Sequence, residues 1–182
     1  KVTNRKSIEK MRGLFKLTRR LPPFFAIPTT SGTGSEATIC AVITDVKNHA
    51  KFAINDPKLV PLATVFDPEL MVGLPPSLTA ATGMDALTHA VESYIGKYDT
   101  TFVKEKALNA TEIIINNLED TYHNGQDLEL RLKMAQASFD AGLAFTRAYV
   151  GYVHAIAHAM GGFYGVPHGL ANAIILPYVL DF

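Results

Sequence analysis

Gly83-Met84-Asp85-Ala86-Leu87-Thr88-His89 sets an acid and a histidine four positions apart. On a helix such a pair projects from one face, so a rigid element can offer a cation one carboxylate oxygen and one imidazole nitrogen. The spacing recurs in His154-Ala155-Ile156-Ala157-His158, and Pro167-His168-Gly169 follows a Gly-rich turn that can bring His168 back over the same point. An isolated Asp/His pair at this spacing equally describes a hydrogen bond on a helix surface. Here, however, three of the six histidines lie between positions 154 and 168, among Ala, Gly and aliphatic residues where an unpaired imidazole is costly to bury. Asp85, His89, His154 and His168, with His158 as a possible fifth group, form a mixed N/O donor set. It suits iron(II) or zinc and is too rich in nitrogen for magnesium or calcium.

Around this stretch the sequence is helical. From position 77 the apolar residues recur at helical spacing, which predicts helices over 77–95, 102–122, 127–145, 150–161 and 168–180. Leu108, Ile113, Ile114, Ile115 and Leu118 are the expected core of the second, and Leu130, Met134, Ala137 and Leu143 that of the third. His123, before Asn124-Gly125, is expected at a helix C-terminus, where it favours the dipole. Leu74-Pro75-Pro76-Ser77 marks a boundary, and upstream of it the signals are those of strands. Phe24-Phe25-Ala26-Ile27, bracketed by prolines, reads as a buried strand. Segments 38–44 and 51–54 read as a hairpin whose polar turn holds His49, and 62–66 as a further strand ended by Asp67-Pro68. The expected organisation is thus 1–74, part of an α/β nucleotide-binding domain, and 75–182, an incomplete helical metal-binding domain. Residues 1–20 carry eight basic residues against Glu9. Such a stretch resembles a targeting peptide in composition, but reads here as a solvated, partly helical or loose connection.

Directly after the first strand comes Thr29-Thr30-Ser31-Gly32-Thr33-Gly34-Ser35-Glu36. Hydroxyl side chains and two glycines let a backbone approach a ligand closely, with N–H and O–H donors aimed at its polar groups. An ordinary capped turn has similar composition, and the density of hydroxyls favours the ligand loop.

Composition narrows the function. A hydrophobic fraction of 48%, 19% charged residues and a formal net charge of zero describe a globular chain and argue against a nucleic-acid partner. No apolar run is long enough for a membrane span. A single cysteine, Cys40, rules out a disulfide framework within the chain and fits a reducing cytoplasm. Lys1 at one end and an apolar run reaching Phe182 at the other suggest a piece of a longer protein.

Taken in order, Pro28 to Glu36, Asp67-Pro68, Leu74-Pro75-Pro76, Ala80-Ala81-Thr82-Gly83-Met84-Asp85-Ala86-Leu87-Thr88-His89-Ala90, His154 to His158 and Pro167-His168-Gly169-Leu170-Ala171-Asn172-Ala173 resemble the iron-dependent, group III alcohol dehydrogenase family. The resemblance runs from about Phe24 to the end. It implies a dehydroquinate synthase-like two-domain architecture, an α/β dinucleotide-binding portion followed by an all-α metal-binding domain, here truncated at both ends. It implies that Asp85, His89, His154 and His168 ligate Fe2+ or Zn2+. His158 would lie near the nicotinamide and be available for proton transfer. Thr29, Thr30 and Thr33 would line NAD or NADP, with Lys51 close to it, and the full-length protein would be a homodimer. Two departures stand out: neither the Gly-Gly-Gly-Ser pyrophosphate loop expected upstream of Thr29 nor the helices expected after Asn172 is in this sequence; in addition, Arg147 stands where many members carry a smaller polar residue.

The chemistry that follows is hydride transfer between a primary alcohol or aldehyde and NAD(P). A divalent metal lowers the pKa of the hydroxyl and stabilises the developing oxyanion. The same donors could instead activate water in a metal-dependent hydrolase, or belong to a non-catalytic metal-binding remnant. A hydrolase has no use for the Thr29 loop, and a remnant would show itself by metal binding without nicotinamide binding.

Overall fold

In a computed structural model, residues 3–45, 50–98 and 100–182 of the protein are described. The hairpin forms as expected: β3 (Cys40–Asp45) pairs antiparallel with β4 (Ala50–Asn55) in the register Val42 to Ala53. The turn itself, with His49, lies outside the described residues. Two short strands precede it and one follows: β1 (Gly13–Leu14), β2 (Phe25–Ala26) and β5 (Ala63–Thr64). β1 runs parallel to β4 on the side opposite β3, and β2 pairs parallel with β5 in a separate two-stranded sheet.

Two expectations are corrected here. The basic segment near the N-terminus is solvated and partly helical, as expected, with a single helical turn over Glu9–Met11, but it is anchored rather than loose. Met11 and Leu17 are buried against Ile54, while Asn4 Oδ1 accepts hydrogen bonds from the backbone of Thr18 (2.9 Å) and Arg19 (3.0 Å). Asp56, fully buried beside this cluster, accepts from Leu17 N at 3.3 Å and Lys58 N at 3.0 Å. The strand at Phe25, in turn, is not buried: β5 pairs with its edge, but among the described residues no element covers its apolar face, and Phe25 is 65% and Ile27 55% exposed.

Five helices follow: α1 (Pro76–Ile95), α2 (Thr101–His123), α3 (Leu128–Ala148), α4 (Tyr152–Tyr164) and α5 (His168–Leu180). Their ends have local causes. Pro76 opens α1 where its missing N–H costs nothing. Thr100 caps α2 through Val103 N, and Asp127 caps α3 through Glu129 N and Leu130 N. Gly165, at φ +67°, takes the left-handed conformation that closes α4. His123 ends α2, as expected. Helices α1, α2 and α3 meet through Ala86, Ala90, Ala110, Ile114, Met134, Ala137 and Ala141, and these mostly small side chains let the axes approach closely. The expected core of α2 is only partly correct. Ile114 is buried and Ile113 and Leu118 pack beside it, whereas Leu108 and Ile115 face outward, one step round the helix from the packed stripe.

Val153 and Ala157 of α4 pack with Ala171, Ile175 and Leu176 of α5. Gly169 brings α5 against α1 so tightly that a Cβ there would lie 1.9 Å from the Ala81 carbonyl oxygen. At the junction between strands and helices, buried Arg131 donates to Thr79 Oγ1 (2.8 Å), Gly125 O (2.8 Å) and Leu74 O (3.2 Å). Among the described residues no helix is long and apolar enough to cross a membrane.

Candidate functional site

Helix α1 delivers Asp85 and His89 from one buried face, and α4 delivers His154, also buried. His168 is the first residue of α5, held at the mouth of the site by the turn through Pro167. Asp85 Oδ1 lies 3.4 Å from His154 Nε2, 3.4 Å from His168 Nε2 and 3.9 Å from His89 Nε2. The ligating atoms of Asp85, His89 and His154 all fall within 4.8 Å of one another. Donors held about 2.0–2.2 Å from one tetrahedral cation would be separated by roughly 3.4 Å. The spacing is that of a coordination shell and longer than an ordinary hydrogen bond, so the residues fit iron(II) or zinc.

The rings are held by stacking. His89 lies between Phe145, at 4.1 Å between centroids, and His154, at 4.4 Å, nearly parallel to both. Burial pushes the His89 pKa down to about 4, against the pull of Asp85. The ring is therefore neutral at neutral pH, with one of its two nitrogens a lone pair. Burial opposes ionisation of Asp85, but the hydrogen bonds and charges of the surrounding histidines outweigh it and hold the carboxyl well below its ordinary range. For His154, burial disfavours the proton, yet the two carboxylates Asp85 and Glu92 prevail and raise its pKa. A cage that attracts a proton this way attracts a divalent cation by the same field.

Two polar residues of this site are absent from the sequence-derived set. Glu92 is buried on α1 and takes a 2.6 Å hydrogen bond from His154 Nδ1. Asn172, fully buried on α5, donates to Asp85 Oδ1 at 2.7 Å. Both had a legible signal: Glu92 extends the Asp85/His89 face by one further turn, and Asn172 stands four positions after His168.

The other wall of the site is the threonine loop. A cleft of about 980 Å³ is lined by Thr29, Thr30, Thr33 and Glu36 on one side and by Asp85, His89, His154, His158 and His168 on the other. His158 is exposed one turn after His154, its ring stacked at 4.9 Å on that of His168. Lys51 lies in β4 opposite Thr44, and its side chain is outside the described residues. Arg147 does not line the cleft: its guanidinium sits over the Phe102 ring at 4.5 Å and donates to Leu143 O.

The loop sits directly on the helices. A Cβ on Gly32 would meet the Thr82 side chain at 2.6 Å. Gly34, at φ +56°, is so close to α3 that a Cβ there would lie 2.8 Å from Gly142 Cα. Glycine is needed at Gly34 both for the left-handed backbone and for this approach.

Comparison with known proteins agrees with this geometry. The model of the Fe-containing alcohol dehydrogenase family, C-terminal, matches residues 79–182, and that of iron-containing alcohol dehydrogenase matches residues 2–68. The chain is 48% identical to alcohol dehydrogenase 4 of Schizosaccharomyces pombe, over 99% of this chain and 43% of that protein. Its fold is that of the crystal structure of 1,3-propanediol oxidoreductase, with a TM-score of 0.95 and 45% identity over 99% of this chain and 47% of the other. A sulfoacetaldehyde reductase from Bifidobacterium kashiwanohense, solved in complex with NAD+, matches with a TM-score of 0.88 and 34% identity, over 97% of this chain and 47% of that one. The chain spans about half the length of the relatives it matches. An α/β portion leads into helices that bring Asp85, His89 and His154 to one point, with His168 beside Asp85, and family models cover both parts: the chain belongs to the iron-containing alcohol dehydrogenase family.

Proposed function

We propose that the chain is the central part of a metal-dependent alcohol dehydrogenase that moves hydride between a small primary alcohol or aldehyde and NAD(P). Residues 1–74 belong to its dinucleotide-binding domain and residues 75–182 to its metal-binding domain. The observation that carries this reading is the single cleft with the threonine loop on one wall and the Asp85, His89, His154 and His168 donors on the other. A hydrolase would need only the second wall.

Asp85, His89, His154 and His168 hold Fe2+ or Zn2+. Thr29, Thr30 and Thr33 hold the nicotinamide side of the cofactor by hydroxyl and backbone donors, with Lys51 on the neighbouring strand. A bound divalent cation supplies Lewis-acid activation of the substrate oxygen and bound nicotinamide supplies the hydride acceptor or donor. Phe145, stacked on His89, keeps the inner end of the cleft apolar. His158, exposed to the cleft, passes the hydroxyl proton towards solvent. The full-length protein is a cytoplasmic homodimer in this reading.

Elemental analysis of anaerobically purified full-length protein, paired with NAD titration, tests it. One iron or zinc per chain and saturable NAD binding are expected. His154→Ala should lose the metal and hydride transfer while keeping its helical circular dichroism. A His154→Ala protein that retained both metal and activity would overturn the site.

A further inference from the structure

Glu92 touches more of the site than its place outside the donor set suggests. Its carboxylate is buried and receives three donors. Val153 N donates to Oε1 at 2.7 Å, while Gly151 N and His154 Nδ1 donate to Oε2 at 2.9 Å and 2.6 Å. Two of these are backbone groups at the start of α4, and the third is the ring that must present its other nitrogen to Asp85. Gly151 has no side chain where a Cβ would come 2.8 Å from Glu92 Oε1.

We propose that Glu92 is a positioning residue that sets both the tautomer of His154 and the place of the first turn of α4. The inference rests on the reading of His154 as a metal ligand. The argument is one of donors and acceptors. An ionised carboxylate has only acceptors and satisfies all three N–H groups. With Nδ1–H committed to Glu92, the Nε2 lone pair of His154 faces Asp85 and the cation position.

A glutamine in the same rotamer cannot reproduce this. If its oxygen takes the place of Oε2, its NH2 group opposes the Val153 N–H. If its oxygen takes the place of Oε1, its NH2 group faces Gly151 N–H and His154 Nδ1. The ring then accepts at Nδ1, and its proton moves to Nε2, pointing at Asp85. In the first arrangement α4 shifts, and in the second His154 ceases to be a ligand.

The test uses full-length protein labelled with 15N-histidine. In the metal-free wild type, the His154 nitrogen shifts should report a proton on Nδ1. In Glu92→Gln zinc(II) affinity, measured by competition with a chelator, should fall 10- to 100-fold in either arrangement, and the Nδ1–H signature should be lost in the one that turns the NH2 group to His154. Gly151→Ala, which keeps the carboxylate but crowds Oε1, should weaken zinc(II) binding by a smaller factor and is the second route if Glu92→Gln fails to fold. A Glu92→Gln protein with the Nδ1–H signature and zinc(II) affinity within twofold of wild type would overturn the proposal, as would unchanged affinity in Gly151→Ala. Wild-type protein that binds no zinc(II) or iron(II) would instead overturn the metal reading, while the tautomer measurement would still judge Glu92.

Discussion

The helices that carry the metal donors and the strands that carry the threonine loop hide their apolar side chains differently. Between α1, α2 and α3 the core is continuous and made largely of alanine, and each helix supplies at least two of its fully buried members. In the strand portion the buried cluster is Met11, Leu17 and Ile54, while Phe25, Ile27, Leu62 and Val65 are each more than half exposed. The loop from Thr29 to Glu36 therefore takes its position less from its own sheet than from α1 and α3, through Gly32 on Thr82 and Gly34 on Gly142. Ile39 N reinforces the contact by donating to Thr146 Oγ1 at 3.1 Å. The helical portion should thus set metal binding by itself, and the cofactor wall should depend on backbone contacts across the cleft.

The strongest challenge to the helical side is Gly169→Ala. The added Cβ meets the Ala81 backbone at 1.9 Å, and backbone cannot swing aside as a side chain can. α5 must lift from α1, taking His168 and Asn172 with it. A stability loss of about 3 kcal/mol, beyond the usual cost of one added methyl, is expected with loss of bound metal. Denaturant unfolding and elemental analysis measure the two. If metal content were unchanged, α5 would not be placing His168 as argued.

Acid should reveal the same region. His89 is neutral in the fold down to about pH 4, because burial disfavours its charged form, whereas the unfolded chain binds the proton near 6.5. Between these values the unfolded state holds more protons, so stability falls as the pH drops, by about 3 kcal/mol across the window. His154 acts in the opposite sense: its folded pKa is raised, so its contribution is present below 6.5 and fades as the pH rises through the folded value. The metal-free protein should therefore be most stable near pH 6.5, as read by chemical denaturation across a pH series. His89→Phe should flatten the acid limb, and a limb that stayed as steep would place its origin outside the helical site.

Gly142→Ala addresses the contact between the two portions. Its Cβ would lie 2.7 Å from Gly34 O and 3.0 Å from Ala37 Cβ, away from the donor cluster. About 1–2 kcal/mol of stability should be lost as the loop is pushed outwards. NAD affinity should fall on the order of tenfold while metal content stays at wild type. Equal losses of both ligands in titrations of the full-length variant would show that the two walls are not separable.

What could be read in the sequence divides along the same line. The five helices lie within three residues of their expected ends, because each has a repeating apolar face and a local punctuation mark such as Pro75, Asp127 or Gly165. The donor cluster was legible because helical spacing fixes which side chains share a face. Less could be read where structure comes from distant pairing. β1 lies in a basic stretch without alternation and becomes a strand only because β4 runs beside it. The exposure of Phe25 is not legible in the sequence because an apolar run carries no information about what covers it. The seating of Gly34 on Gly142 joins positions 108 residues apart, and neither neighbourhood alone announces the contact.

The outward face of α2 gives the smallest effect and shows how fine the division becomes within one helix. Ile114 and Ile115 are adjacent in sequence, yet a helix turns about 100° between them. Ile114 is fully buried in the shared core, while Ile115 is 65% exposed. Ile115→Ala removes a side chain that water already reaches and puts a strong helix former in place of a β-branched residue. The lost contact and the gain in propensity nearly cancel, so stability should change by less than about 0.5 kcal/mol. Ile114→Ala leaves a hole among Ala86, Ala110 and Met134 and should cost about 2–5 kcal/mol. The pair, compared by denaturant midpoint with metal content as a control, isolates packing from propensity at a single turn of helix. If Ile115→Ala proved as costly as Ile114→Ala, that face of α2 would be covered in the folded protein, and the self-sufficient helical core argued above would extend across it.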